Sequence, residues 1–365
     1  MAIAAPAAQR IGELTALRGL AALVVLLSHL LLIYPLSRET LVAAGLLINP
    51  HGAIVLFFVL SGFVLARSLE RAKRSFWGGS LRFWLKRLFR IYPAVWAVTT
   101  IAVVLILIRP DIPEAQLARW PVHHMASLSR HNVVLTLAAW NAALIPPLWT
   151  IYVELVGSLF VPFMVWIGRR ATWAGWLMIG GLALLSLIAE GWHHPFSAAI
   201  YMVHFALGVM LALYGIELRK RTAIFLALAG LAGLTVFRTI FFLVLTGQWK
   251  MGTYDYGNPL PGLFEAAAAT MLVAALAFSA KLPRWLLSRP LQALGDWSYP
   301  LYLLHLPIML FLACLLPASA PGQATLMLGA LSIAITLLLS ATIHHLVEQP
   351  GIALGNSVVD RVIRA

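Results

Sequence analysis

Charge is what this 365-residue chain has least of. Only 11% of its residues are Asp, Glu, Lys or Arg, against about a quarter in a soluble globular domain. Acidic residues are scarcest, 13 against 26 basic ones. Cysteine is nearly absent: Cys314 stands alone, which excludes an intrachain disulfide and a cysteine metal cluster. The sequence carries no P-loop, no GxGxxG after a strand, no GxSxG elbow and no HExxH. Those absences speak against nucleotide hydrolysis, dinucleotide redox chemistry, serine hydrolysis and metalloproteolysis. The start, MAIAAPAAQR, lacks the basic opening of a secretory signal, and no small-residue cleavage site follows the first apolar run. That run therefore reads as a retained helix. No internal repeat, soluble domain or linker is visible.

What the chain has instead is apolar length. Hydrophobic residues make up 61% of it, and the mean hydropathy is +0.90. Lipid admits only helices or closed barrels, and these runs are helix-length and do not alternate as barrel strands do. The fold class is an all-α, polytopic membrane protein of about ten transmembrane helices with both termini cytoplasmic. The spans fall at roughly 17–35, 52–68, 91–108, 148–167, 173–190, 197–215, 222–245, 262–280, 298–316 and 323–345. The apolar interval 131–147 is broken by Asn132, Asn141 and Pro146-Pro147 and reads as re-entrant or interfacial. With this arrangement 20 basic residues lie on one side and 5 on the other, with Arg238 inside a span. This is a strong positive-inside bias, and an eleventh span would scatter it. It also accounts for the net charge of +13 without a nucleic-acid partner.

Ionisable groups inside apolar spans are costly and rare, so they are candidates by default. Arg18 and His29 lie eleven residues apart in LRGLAALVVLLSH. Eleven residues is close to three turns, so both project from one face about 16 Å apart, with His29 expected near mid-bilayer. Arg18 also fits a topology anchor that snorkels to the headgroups. His29 fits either a near-neutral base in a dry cavity or a structural histidine. Arg82, Lys86, Arg87 and Arg90 bring several cations to one side of a short helix ahead of the third span. They suit a phosphate-bearing ligand, or simply the cytoplasmic surface. Glu154, in LWTIYVELVG, could orient a histidine, hold a proton, bond a sugar hydroxyl, or pair structurally with Arg238. Ser298, Tyr302 and His305 form one polar stripe at i, i+4 and i+7, with Asp296 or Ser298 as the expected cap and Pro300 in the first turn. In the ending HHLVEQPG, His344 and Glu348 are i, i+4 partners, structural or lining a cytosolic entrance, and no metal site is expected. His123-His124 and His193-His194 read as solvated.

In order, these motifs resemble the acyltransferase-3 family of bacterial integral-membrane O-acyltransferases, from about Glu13 to about Pro350. The family pattern is an Arg, ten residues and a His (Arg18, His29), followed by FFVLSGFVL with Phe57, Phe58, Ser61, Gly62 and Phe63. Next comes a basic approach to the third span, here Lys86-Arg87-Leu88-Phe89-Arg90-Ile91-Tyr92-Pro93, with Lys86 where the family has Arg. Trp149 to Glu154, then Ser298, Tyr299, Tyr302 and His305, then Glu348 to Pro350 complete it. The resemblance implies a tail (1–12), an acyltransferase-3 transmembrane domain (13–350) and a cytoplasmic tail (351–365) in the bacterial inner membrane. It further implies transfer of an acyl group, acetyl being expected, from cytoplasmic acyl-CoA to a hydroxyl of an extracytoplasmic or lipid-linked carbohydrate, with no bound cofactor. His29, Arg18 and Glu154 are the expected catalytic residues, His29 as base or as transient acyl carrier. Arg82, Lys86, Arg87 and Arg90 are expected to hold the donor. Ser298, Tyr302, His305 and Arg238 stand as further cavity residues. Many members carry an appended hydrolase-like domain, for which this chain has no room. The rival reading is a proton-coupled transporter or flippase using His29, Glu154 and Arg238, although the inverted repeats that would favour it are absent. A non-catalytic partner in glycan export is a third.

Overall fold

The computed structural model describes residues 12–70, 76–111, 114–125, 128–246, 258–279, 284–316 and 320–362. The tail before Gly12, residues 363–365, most of the loop 246–261, and the cations Arg71, Lys73, Arg74, Lys250 and Lys281 lie outside them.

The described chain is helical almost throughout. Helix α1 (Gly12–Leu30) leads through a turn to a short α2 (Arg38–Gly45), then α3 (Pro50–Glu70) and α4 (Phe76–Ile108). Two short helices, α5 (Arg119–His124) and α6 (Arg130–Leu137), precede the hairpin of α7 (Leu148–Arg170) and α8 (Thr172–Ile188). A 3-10 turn, Phe196–Tyr201, opens α9 (Met202–Tyr214), and α10 (Lys220–Thr246) and α11 (Pro259–Phe278) follow. The last third holds α12 (Arg289–Asp296), α13 (Ser298–Leu315) and α14 (Pro321–Ile343). A π turn, His344–Glu348, joins α14 to α15 (Gln349–Val362). Nine helical stretches among the described residues are long and apolar enough to cross a membrane, and α8 is a shorter apolar tenth. The protein is a polytopic all-α membrane protein.

Local chemistry accounts for several boundaries. Pro35 disfavours helical backbone at Tyr34, and the chain leaves the helix after Leu30. Prolines open α3 and α11, where the missing N–H would be unsatisfied anyway. Asn258 caps α11 by accepting from the Leu260 amide at 3.1 Å. Ser129 caps α6 through the Asn132 amide at 3.1 Å. At α13 the cap is Trp297 without a side-chain bond, not Asp296 or Ser298. Ser298 is the first helical residue and turns its hydroxyl to the Gly295 carbonyl at 2.8 Å. Pro300 sits in the first turn as expected.

Two differences from the sequence reading affect the site. First, α1 starts and stops earlier than expected, and His29 lies in its last turn. Second, the basic stretch and the third span are one 33-residue helix, α4, carrying Pro93 inside it, about 50 Å long. The interval 131–147 is not a span, in keeping with its reading as re-entrant or interfacial. Its eight-residue α6 and the loop beyond dock on α4, where Trp96 Nε1 donates to the Leu137 carbonyl and Tyr92 Oη to the Ala138 carbonyl, both at 3.1 Å.

Helix α3 lies at the centre of the packing and touches α1, α7, α9 and α11. Its approach to α9 is set by two glycines. A Cβ on Gly62 would strike the Phe205 carbonyl oxygen, and one on Gly208 would strike the Val59 carbonyl oxygen. Small residues at such crossings let backbones approach, which is how helices associate where lipid removes the hydrophobic drive. Outward-facing Trp77, Trp166, Trp173 and Trp176 are exposed near the ends of α4, α7 and α8, as in an interfacial aromatic belt.

Candidate active site

Five helices, α1, α3, α4, α7 and α13, line an open cavity of about 880 Å³, counting the part open to solvent. Apolar walls come from Ile54, Phe57, Phe58, Leu60 and Ile151. Convergent polar groups come from Arg18, Ser61, Arg87, Arg90, Thr150, Glu154, Ser298, Tyr299 and Tyr302.

These residues are organised around two arginines. Arg87 is 8% exposed and forms an ion pair with Glu154. Ser61 Oγ donates to the same Glu154 oxygen at 3.0 Å. The partner considered for Glu154 in the sequence, Arg238, is elsewhere. Helix α7 packs beside α3 and α4, whereas α10, which carries Arg238, packs mainly on α11. The Arg87 Nε atom is buried and has no hydrogen-bond partner among the described residues. An oxygen of a ligand in the cavity would satisfy it. Arg18 Nη2 donates to Ser298 Oγ at 3.2 Å, so Arg18 faces α13 rather than snorkelling outward.

The four cations of the basic stretch divide by helix face. Arg87 and Arg90, one turn apart, line the cavity. Arg82 and Lys86, also one turn apart, point to α15, where Asp360 pairs with Arg82 and lies 3.3 Å from the Lys86 ammonium. The segment beyond residue 350 is thus a helix held against α4 as far as it is described. Gly351 and Gly355 lie against Phe89 and Pro93.

Tyr302 lines the cavity from α13. Its hydroxyl is 3.0 Å from that of Thr150, and Phe57 meets its ring edge-on at 6.0 Å. One turn further along α13 is His305, wholly buried, with its Nε2 at 3.2 Å from Nδ1 of His29. The polar stripe therefore joins the cavity to His29. Beyond this pair lies Trp120, with its ring centroid 5.3 Å from that of His29 and stacked on His124 at 4.3 Å. His124 is half-buried rather than solvated, and it lines a second cavity of about 370 Å³ with Arg109, Leu144, Pro307 and Phe311. Along α13, Tyr302 lines the first cavity and Pro307 the second, with His305 between them in the helix.

Other expected residues lie apart. Arg238 is buried with Glu265, His51 and Asn49. His344 Nδ1 and Glu348 Oε2 are 2.9 Å apart within the π turn, and neither residue lines the cavity. No group of His, Cys, Asp and Glu among the described residues is arranged to hold a metal. The sequence reading missed Glu265, a carboxylate in an apolar span that the same cost rule would have found. It also gave no role to Ser61, whose signal was only its place in the FFVLSGF stretch.

The acyltransferase-3 profile, described as an acyltransferase domain, matches residues 11–345. The chain belongs to the acyltransferase-3 family. Every cavity residue named above, and both histidines, fall inside the match. The chain is 25% identical to the acyltransferase MdmB of Streptomyces mycarofaciens, over 94% of this chain and 92% of that one. It is 28% identical to nodulation protein 10 of Rhizobium leguminosarum bv. viciae, over 84% of each. It is 25% identical to the O-acetyltransferase OatA of Staphylococcus aureus over 80% of this chain, and there it spans about half, 51%, of the relative's length. No solved structure matches. This acyltransferase-3 protein is therefore a multi-pass acyltransferase of the bacterial cytoplasmic membrane, which favours the enzyme reading over the transporter.

Proposed function

We propose that the protein moves an acyl group, acetyl being the simplest, from cytoplasmic acyl-CoA to a hydroxyl of an extracytoplasmic or lipid-linked carbohydrate. The observation that carries this reading is the arginine-lined cavity with Tyr302 in its wall and the His29–His305 pair one turn further along α13. The donor enters from the end rich in basic residues. Arg90 and Arg18 attract its phosphates, and the unpartnered Nε of Arg87 offers a further donor to one of its oxygens. Glu154 and Ser61 hold Arg87 in place. Arg82 and Lys86, already paired with Asp360, contribute through the local field. The acyl-bearing arm extends past Tyr302 toward His29.

At His29 the acceptor's O–H gives its proton to the imidazole as the new O–C bond forms at the thioester carbonyl. The C–S bond breaks, and the CoA thiolate takes up a proton as it leaves. General-base assistance of this kind contributes about 10²- to 10⁴-fold. The test is acceptor-dependent release of CoA from acetyl-CoA by membranes, with O-acetyl content of the surface glycans read by mass spectrometry. Wild type should restore both in a deletion strain. His29→Ala at equal membrane abundance should restore neither, and restoration of both by that variant would overturn the reading.

A further inference from the structure

The contacts of the histidine pair decide which ring atom of His29 does the chemistry. His29 Nδ1 is 2.9 Å from the Val25 carbonyl oxygen, one turn back on α1. His305 Nδ1 is 3.3 Å from the Leu301 carbonyl oxygen, one turn back on α13. A carbonyl oxygen only accepts, so each Nδ1 carries its hydrogen. With His305 Nδ1 protonated in the neutral ring, His305 Nε2 is an acceptor, and the atom 3.2 Å away is the protonated Nδ1 of His29. The opposite arrangement would have His305 Nε2 donate to an unprotonated His29 Nδ1. It would set nitrogen lone pairs against both carbonyl oxygens, in a pair buried where such mismatches are costly. One assignment serves all three contacts, with the single His29 Nδ1–H shared between the Val25 carbonyl at 2.9 Å and His305 Nε2 at 3.2 Å. It leaves the lone pair of His29 on Nε2, an atom with no hydrogen bond among the described residues.

We propose that His305 is the positioning residue of His29. Its Nε2 accepts from His29 Nδ1–H, fixing the ring's orientation and presenting Nε2 to the reacting groups. When His29 takes the acceptor proton, the positive charge that develops is shared across Nδ1–H to the lone pair of His305. A neutral imidazole thus stands where many enzymes place a carboxylate behind a catalytic histidine. A carboxylate at this site would be a buried charge, and such a charge is expensive inside a membrane protein. The surroundings fit a neutral partner: Tyr302 at 5.9 Å between ring centroids on the cavity side and Trp120 against His29 on the other. The inference rests on His29 being the reacting group, and it holds whether Nε2 removes a proton or carries the acyl group.

Two measurements test it. The first is turnover of acetyl-CoA by membranes with their endogenous acceptor, normalised to monodisperse protein, for His305→Ala, His305→Gln and His29→Gln. Loss of a hydrogen bond to a group that becomes charged predicts a fall of about 10- to 100-fold in kcat for His305→Ala, with the acetyl-CoA KM unchanged. His305→Gln, whose amide oxygen also accepts from Nδ1–H, should recover most of it. A change confined to KM, or equal losses for Gln and Ala in folded protein, would overturn the proposal. The second is a nitrogen NMR spectrum of the wild-type chain labelled at histidine, with the His29 signals assigned by their loss in His29→Gln. A protonated Nδ1 and bare Nε2 are expected, and the reverse tautomer sinks the dyad even if His305→Ala fails to fold. Full turnover by His29→Gln would instead refute the functional reading itself. Loss there beside unimpaired His305 variants would refute only the positioning role.

Discussion

Replacing Glu265 with leucine should be among the most damaging single changes outside the cavity. The carboxylate is 0% exposed. It accepts from Asn49 Nδ2 at 2.7 Å and Arg238 Nη1 at 3.0 Å, and it is bonded to His51. Arg238 is 1% exposed, so Glu265→Leu leaves a buried cation that has lost its carboxylate. Breaking a buried pair by removing one partner costs about 3–5 kcal/mol, and the Asn49 amide loses an acceptor worth roughly 1 kcal/mol more. A total of about 4–6 kcal/mol lowers the folded-to-unfolded ratio by about 10³- to 10⁴-fold. The double variant Arg238→Met/Glu265→Leu removes both charges, and apolar replacement of such a pair is often close to neutral. It should recover most of the loss, leaving about 1–2 kcal/mol for Asn49 and His51. The assay is reversible unfolding in mixed micelles titrated with a denaturing detergent, followed by tryptophan fluorescence, for wild type, both single variants and the double variant. If Glu265→Leu unfolds with wild type, or the double variant is less stable than either single one, the account of this network as a paired and desolvated charge cluster is wrong.

The division of the basic stretch by helix face makes a second prediction. Arg90→Ala should raise the acetyl-CoA KM by roughly 10-fold or more through lost charge-assisted contact. Arg82→Ala, which faces Asp360 instead, should change it less than about threefold, as expected for a partly exposed ion pair. Steady-state kinetics of the two variants side by side decide the matter, and equal effects would mean that the whole cluster, not one face of it, meets the donor. A third concerns the crossing of α3 and α9. Gly208→Ala adds a methyl group against the Val59 carbonyl and should cost about 1–3 kcal/mol, read as a lower unfolding midpoint in the same micelle titration. An unchanged midpoint would show that the two helices can separate freely there.

The architecture was largely legible in the sequence because lipid leaves few choices. Apolar runs of helix length must be helices, and the asymmetry of basic residues orders them, so nine of the ten expected spans appear as membrane-length stretches among the described residues, most with ends shifted by a few residues, and the tenth, α8, as a shorter apolar helix. The exception is α4. Its basic stretch looked like a separate short helix because charge interrupts hydropathy without interrupting backbone hydrogen bonding. Candidate residues were legible for a related reason: Arg18, His29, Glu154 and His305 are polar groups in places where polarity is costly. Their partnerships were not. Glu154 could as well have met Arg238 as Arg87, and only the packing of α7 beside α4 decides it. Arg82 and Arg87 look equivalent in the sequence, and only the position of α15 separates them. His29 and His305 are 276 residues apart, and neither predicts the other. One-dimensional pattern records which groups must leave lipid and at what helical period. It holds no information on how helices rotate about their axes or which neighbours they choose. Those are decided where glycines let α3 meet α9 and where buried charges find their counter-charges, and the cavity and the histidine pair exist only once that packing is made.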